Sequence, residues 1–476
     1  MKRALKKNLI IVAVAGVALF ALFNLTHEYY EAAEIMPVSG LLVIPFALLL
    51  ASIAIVPFIN RHWWEHNYPK VAFGLGALMV LYYVFVLGNV PRLLLTFYEY
   101  VSFITLIGAL FIVSGGIHLK IPGKSAPYEN VILLAVGAII SNFLGTTGAS
   151  MLLIRPYLRI NKFRIKPYHV VFFIFIVSNV GGALTPIGDP PLFLGYLKGV
   201  PFFWVITRVW HIWALATVML LAVFYVIDTI SFKKETARIQ KEAATPDEPE
   251  FTGLHNIFYL AIILGAVFIS EPVMLRELIM WGAAFASYYT TRNHIHEKND
   301  FNFIPIKEVG ILFAGIFATM IPALDWLELN SSTLGIVTPA QYYWGTGVLS
   351  SVLDNAPTYL NFLSAAFGLH AASVDNILHM DAMLGLATPD ALGLVNPLQA
   401  GAMAIGPDTW KYVQAISIGA VFFGACTYIG NGPNFMVKSI AEQAKIDCPS
   451  FFGYVFKYTI PILLPIFAVL WFLYFK

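Results

Sequence analysis

Apolar runs close to the length that crosses a bilayer recur from one end of this 476-residue chain to the other. No other feature constrains its fold as tightly. Such runs predict helices stacked across a membrane, at about 8–26, 40–59, 70–88, 99–116, 168–196, 203–229, 255–270, 277–291, 308–326, 411–437 and 452–475. Composition agrees, since 12% of the residues are charged, about half of what a soluble chain carries. The expected fold class is an all-α polytopic membrane protein. The run from Leu9 to Phe23 is long for a secretory signal and has no clean small-residue cleavage site after it, so it is expected to stay as a first helix.

Two further apolar segments, 129–156 and 339–369, are interrupted midway by Gly, Pro, Asn or Asp. Positive charge decides how they run. With the basic tail Lys2, Arg3, Lys6 and Lys7 cytoplasmic and both segments turning back on themselves, 23 of the 29 Lys and Arg residues fall on the cytoplasmic side. A full crossing by either segment would invert the later loops and destroy the bias. Both segments are therefore expected to be re-entrant hairpins that enter from opposite sides. The polar stretch 231–251 then reads as a cytoplasmic linker between a first membrane half, 1–230, and a second, 252–476. The Ala/Gly-rich stretch 370–410 reads as an extracytoplasmic excursion of the second half.

Halves of opposite orientation should leave a sequence echo. "LTPIGDPPL" (184–192) aligns with "CTYIGNGPN" (426–434), which pairs Thr185 with Thr427, Gly188 with Gly430 and Asp189 with Asn431 at an offset of 242. "SNFLGTTGAS" (141–150) aligns more loosely with "SSVLDNAPTY" (350–359), pairing Ser141 with Ser350 and Leu144 with Leu353 at an offset of 209. Each half thus holds a hairpin and a broken helix (168–196 and 411–437), and the expected architecture is two inverted repeats. Broken helices survive in hydrocarbon only where they line a polar cavity. Gly and Pro make the break, while Thr, Asn, Ser and Asp supply ligands. One kink with a Thr is ordinarily structural; its recurrence at matching places in both halves argues for a transport site. The glycine pairs 115–116 and 181–182 instead read as close-packing contacts, and the histidines of "RHWWEH" (His62, His66) and "NHIH" (His294, His296) as interfacial loop residues.

No Walker loop, dinucleotide fingerprint or zincin motif occurs, and Cys426 and Cys448 match no metal pattern. An ATPase or a membrane enzyme is therefore disfavoured, no cofactor is expected, and nothing points to nucleic acid.

"NVGGALTPIGDPP" and "LDNAPT" resemble the ion transporter superfamily, most closely NhaD-type sodium/proton antiporters, and beyond them arsenite, citrate and dicarboxylate permeases. The resemblance covers roughly 100–220 and 305–440. It implies a homodimer with the spans before 120 and around 255–300 as a scaffold, while the charge count puts the N-terminus on the cytoplasmic side of what is expected to be a plasma membrane of bacterial inner-membrane type. It also places Asp189, Asp354 and Asn355 at the core that binds the coupling ion, with Thr185 and Asn179 nearby. The chain departs from the antiporter pattern in lacking an acid at the first hairpin tip, and from the dicarboxylate pattern in keeping Ser141-Asn142 without the following Thr.

The candidate site is Asp189, Asp354, Asn355, Thr185, Asn142, Thr146, Thr427, Asn431 and Asn434. Such hard oxygen ligands suit Na⁺ or Li⁺. The expected activity is sodium/proton antiport, with Na⁺ and H⁺ competing for Asp189 and Asp354. The alternative is a Na⁺- or H⁺-coupled citrate or dicarboxylate carrier, whose substrate the core carboxylates would repel unless cations neutralised them. Arg155 is the one guanidinium expected near enough to help.

Overall fold

The computed structural model describes residues 2–31, 33–121, 124–235, 249–388 and 403–476. Among these, eight helices are long and apolar enough to cross a bilayer, from Gly40–Ile59 to Phe451–Tyr474. The protein is an all-α polytopic membrane protein, as expected. One small departure is a two-stranded antiparallel ribbon that pairs His118–Lys120 with Glu250–Thr252, at the far end of the 231–251 stretch. Residues 236–248 of that stretch, and 389–402 of the 370–410 excursion, lie outside the described residues.

Proline sets many helix starts, where its fixed φ fits and its missing N–H costs nothing. It stands in the first turn of Pro127–Ile160, Pro167–Ile176, Pro190–Leu197, Pro339–Ser350 and Gly432–Gln443. Two histidine motifs sit in helices rather than loops. "RHWWEH" opens Arg61–Phe85 because Asn60 Oδ1 accepts the Trp63 N–H at 3.0 Å and so caps a new helix. "NHIH" lies in the short helix Asn293–Lys298, which buries Ile295.

Both interrupted segments turn back. The first runs from Pro127 to Ile160 and breaks at Gly145, whose φ of 71° and ψ of 156° only glycine adopts readily. The second is two separate helices, Pro339–Ser350 and Asn355–Leu369. Its entry is held by a reciprocal cap, with Thr338 N–H donating to Gln341 Oε1 (2.9 Å) and Gln341 N–H to Thr338 Oγ1 (3.3 Å). The helices expected to be broken are broken. Pro167–Ile176 gives way to the 3₁₀ helix Val180–Leu184 and resumes at Pro190–Leu197, and Trp410–Phe423 resumes at Gly432–Gln443.

The chain divides into two compact units that do not coincide with its sequence halves. The first collects 1–36, 67–117 and 253–321. Glycines bring its backbones together, with Gly315 against Ala72 and Gly76 against Ala318. Asn256 and Asn299 tie down the carbonyls of Gly116 and Gly115 at 2.8 and 2.9 Å. The second unit collects 37–66, 118–252 and 322–476, and holds both hairpins and both broken helices. Residues 40–59, expected with the scaffold spans, belong to this second unit, where Gly40 packs on Trp326 and Phe58 on Phe451 (5.4 Å between ring centroids).

Candidate functional site

The two breaks are built alike. In the first, Thr185 Oγ1 donates to the Asn142 carbonyl (2.7 Å) and accepts the Gly188 N–H (3.0 Å). In the second, Thr427 Oγ1 donates to the Ser351 carbonyl (2.6 Å) and accepts the Gly430 N–H (3.2 Å). Asn142 and Ser351 correspond at the same offset of 209 that pairs the hairpins. Ser141 and Ser350 likewise donate to backbone of the neighbouring broken helix, at Val177 (2.8 Å) and Ala420 (2.6 Å). Backbone meets backbone across each break. A Cβ on Gly430 would stand 2.7 Å from the Gly424 carbonyl oxygen, and one on Gly188 would overlap that of Gly182. The inverted echo in the sequence is therefore an echo in hydrogen bonding.

Beyond each break the chain re-enters a helix through an extended residue. Asp189 (φ −144°, ψ 143°) caps Pro190–Leu197, and Asn431 (φ −153°, ψ 141°) caps Gly432–Gln443. These two equivalent residues meet, with Asn431 Nδ2 donating to Asp189 Oδ1 at 3.0 Å. The hairpin tips complete the cluster. Thr146 Oγ1 donates to Asp189 Oδ1 and Asn355 Nδ2 to Asp189 Oδ2, both at 2.6 Å. Thr146 and Asn355 are themselves equivalent at offset 209. One carboxylate thus sits fully buried among three neutral donors, drawn from two pairs of matching positions.

The other candidate residues do different work. Asn142 is consumed by backbone, donating to Ala138 and Gly181 carbonyls and accepting the Leu184 N–H. Thr185 and Thr427 are the struts described above and do not bond the Asp189 carboxylate. Asn434 donates to the carbonyls of Gly424 (2.8 Å) and Thr427 (2.9 Å) and accepts from Asn179 Nδ2 (2.7 Å). Asn179 Oδ1 in turn accepts from Asn431 at 3.2 Å, so this pair backs the cluster from behind. Asp354 is half-buried and caps its own helix, accepting the Ala356 N–H at 3.0 Å, and it makes no hydrogen bond to Asp189. Of the two carboxylates expected to take Na⁺ and H⁺ in competition, only Asp189 is hydrogen-bonded to Thr146, Asn355 and Asn431. A capping Asp gains an orphan N–H group and a helix dipole by turning to its own helix.

Among the described residues the Asp189 carboxylate takes hydrogen bonds from Thr146, Asn355 and Asn431, all of them neutral. Positive potential comes from backbone instead. The helix N-terminal residues Asp189, Asn355 and Asn431 meet here, together with Thr146 just after the break at Gly145. Asn355 Oδ1 is buried there without a hydrogen-bond partner.

A second polar cluster, absent from the sequence reading, closes the mouth of the first hairpin. Asp228, fully buried in Phe202–Lys233, takes both guanidinium ends of Arg164 (2.5 and 2.8 Å), the Tyr168 hydroxyl (2.7 Å) and Asn130 Nδ2 (3.0 Å). Asn130 and Asn161, one at each arm of the hairpin, exchange hydrogen bonds of 2.9 and 2.8 Å. A signal was present: Asp228 is the one acid in its span, and an intramembrane acid asks for a partner.

A family model described as "Putative citrate transport" matches residues 35–475 of the chain. No curated protein matches it.

Proposed function

From the premise that this chain belongs to the family whose model spans residues 35–475, and is an integral multi-pass membrane transporter, we propose that it carries citrate or a similar polycarboxylate, coupled to cations. The family match carries this reading. The site supports it in two ways. Helix N-terminal residues Asp189, Asn355 and Asn431 gathered in one buried cluster favour an anion there without the desolvation cost of a buried guanidinium. The lone Asp189 carboxylate in the same place would repel that anion until a cation offsets it. Cation binding and anion binding then favour each other, and such coupling is reciprocal.

The sodium/proton antiporter reading draws on Asp189 as an exchange site, but it leaves the match to a citrate family without a role. Reconstituted protein separates the two. Labelled citrate should accumulate in proteoliposomes when an inward Na⁺ or H⁺ gradient is imposed. A Na⁺ gradient that moves protons in the absence of citrate, together with no citrate uptake, would restore the antiporter.

A further inference from the structure

We propose that Asn431 sets the charge of the coupling ion. By keeping the four-residue cluster at a single negative charge, it makes the cluster a site for one monovalent cation. The inference deepens the carrier reading, on which it rests for the cation's role in transport.

The observation is a broken equivalence. Asp189 and Asn431 occupy matching places, cap matching helices with nearly the same backbone angles, and touch at 3.0 Å. They are isosteric, yet one is an acid and the other an amide. Two ionised carboxylates at that separation would repel strongly unless they shared a proton or a multivalent ion. The amide removes that second charge and also donates to Asp189, to the Ser178 carbonyl (3.1 Å) and to Asn179 Oδ1 (3.2 Å). Thr146 and Asn355 are neutral, and Asp354 is committed to its own helix. Within the four-residue cluster the count is therefore one charge, that of Asp189, with the Asp354 carboxylate outside the cluster but near enough to act on it electrostatically. A separate observation points to a cation rather than a bare proton: Asn355 Oδ1 is an oxygen acceptor buried beside Asp189 with no donor. Together with the Asp189 carboxylate and Thr146 Oγ1, it offers the hard oxygen set that an alkali cation takes.

Binding of radiolabelled sodium to the purified full-length protein in detergent, with calcium as competitor, tests this by counting carboxylates. Wild type should bind one Na⁺ per chain, with calcium a weak competitor. Asn431→Asp, with two carboxylates, should make calcium at least about tenfold more effective against Na⁺. The exchange variant Asp189→Asn with Asn431→Asp restores a single carboxylate on the opposite arm and should return to the wild-type order. Should Asn431→Asp fail to fold, Asn355→Asp places the second carboxylate from the hairpin tip and should shift the order in the same direction. An unchanged preference in both two-carboxylate variants overturns the proposal, as does an exchange variant that favours calcium, or a wild type that binds no Na⁺. Citrate uptake by wild type is measured in parallel. Its absence alongside the expected shift in ion preference would reject the carrier reading and leave the role of Asn431 standing.

Discussion

At the scale of single residues, polar side chains of the same type divide between ligand and strut. Asp189→Asn should abolish Na⁺ binding and cation-driven uptake while leaving thermal stability equal or higher, because removing an unpaired buried charge lowers a desolvation cost. Thr185→Val should do the reverse. It strips a hydroxyl that bonds the Asn142 carbonyl and the Gly188 N–H, so it should cost about 1–3 kcal/mol and lower the melting temperature, with Na⁺ affinity nearly intact. Ion binding and thermal melts on the two purified variants check the pair. This division also marks where the sequence stops being readable. All four residues of the cluster were among the candidates, because Gly, Pro and oxygen-bearing side chains in an apolar run announce a break. Thr185, Thr427 and Asn142 carry the same signature, yet their oxygens and amide point back to main chain. Residue type alone does not say whether a side chain faces the cavity or mends the backbone around it.

At the scale of elements, the two hairpins are fastened differently. The mouth of the first is clasped by Arg164, Asp228, Asn130 and Asn161, whereas the second enters through the Thr338–Gln341 cap. Arg164→Ala leaves Asp228 buried without its cation and should destabilise the protein by about 3–5 kcal/mol. Hydrogen exchange should rise first at the hairpin base, near 127–131 and 157–161. Replacing both partners with apolar residues, as Arg164→Met with Asp228→Leu, should recover much of that loss, since no charge is then stranded. Exchange that rises evenly over the whole chain in Arg164→Ala would contradict a local clasp. The hairpins were legible in outline. Their turning back followed from positive charge, and an interruption midway through 129–156 from its Gly and polar residues, but not the exact break at Gly145. The clasp was not, because Arg164 alone reads equally well as one more cytoplasmic anchor.

At the scale of the whole molecule, the sequence shows two halves and the contacts show two units, and both descriptions hold. The echo between 184–192 and 426–434 reports common architecture. Packing partners depend on which apolar faces fit, and lipid is as apolar as leucine, so spans such as 40–59 carry no periodic mark of the unit they join. Orientation remains tied to charge: cysteines introduced singly at positions 240 and 385 should react with a membrane-impermeant reagent from opposite sides, the second from outside the cell. Labelling of 240 from outside would reject the inverted arrangement. The clasp also has a consequence for how the chain is made. Arg164 and Asp228 are 64 residues apart. At ribosomal speeds of about 5–20 residues per second, the arginine waits roughly 3–13 seconds for its carboxylate to be synthesised. Until Phe202–Lys233 emerges, the nascent hairpin has only the Asn130–Asn161 pair across its mouth, so that helix acts as the late-arriving chaperone of a loop translated before it.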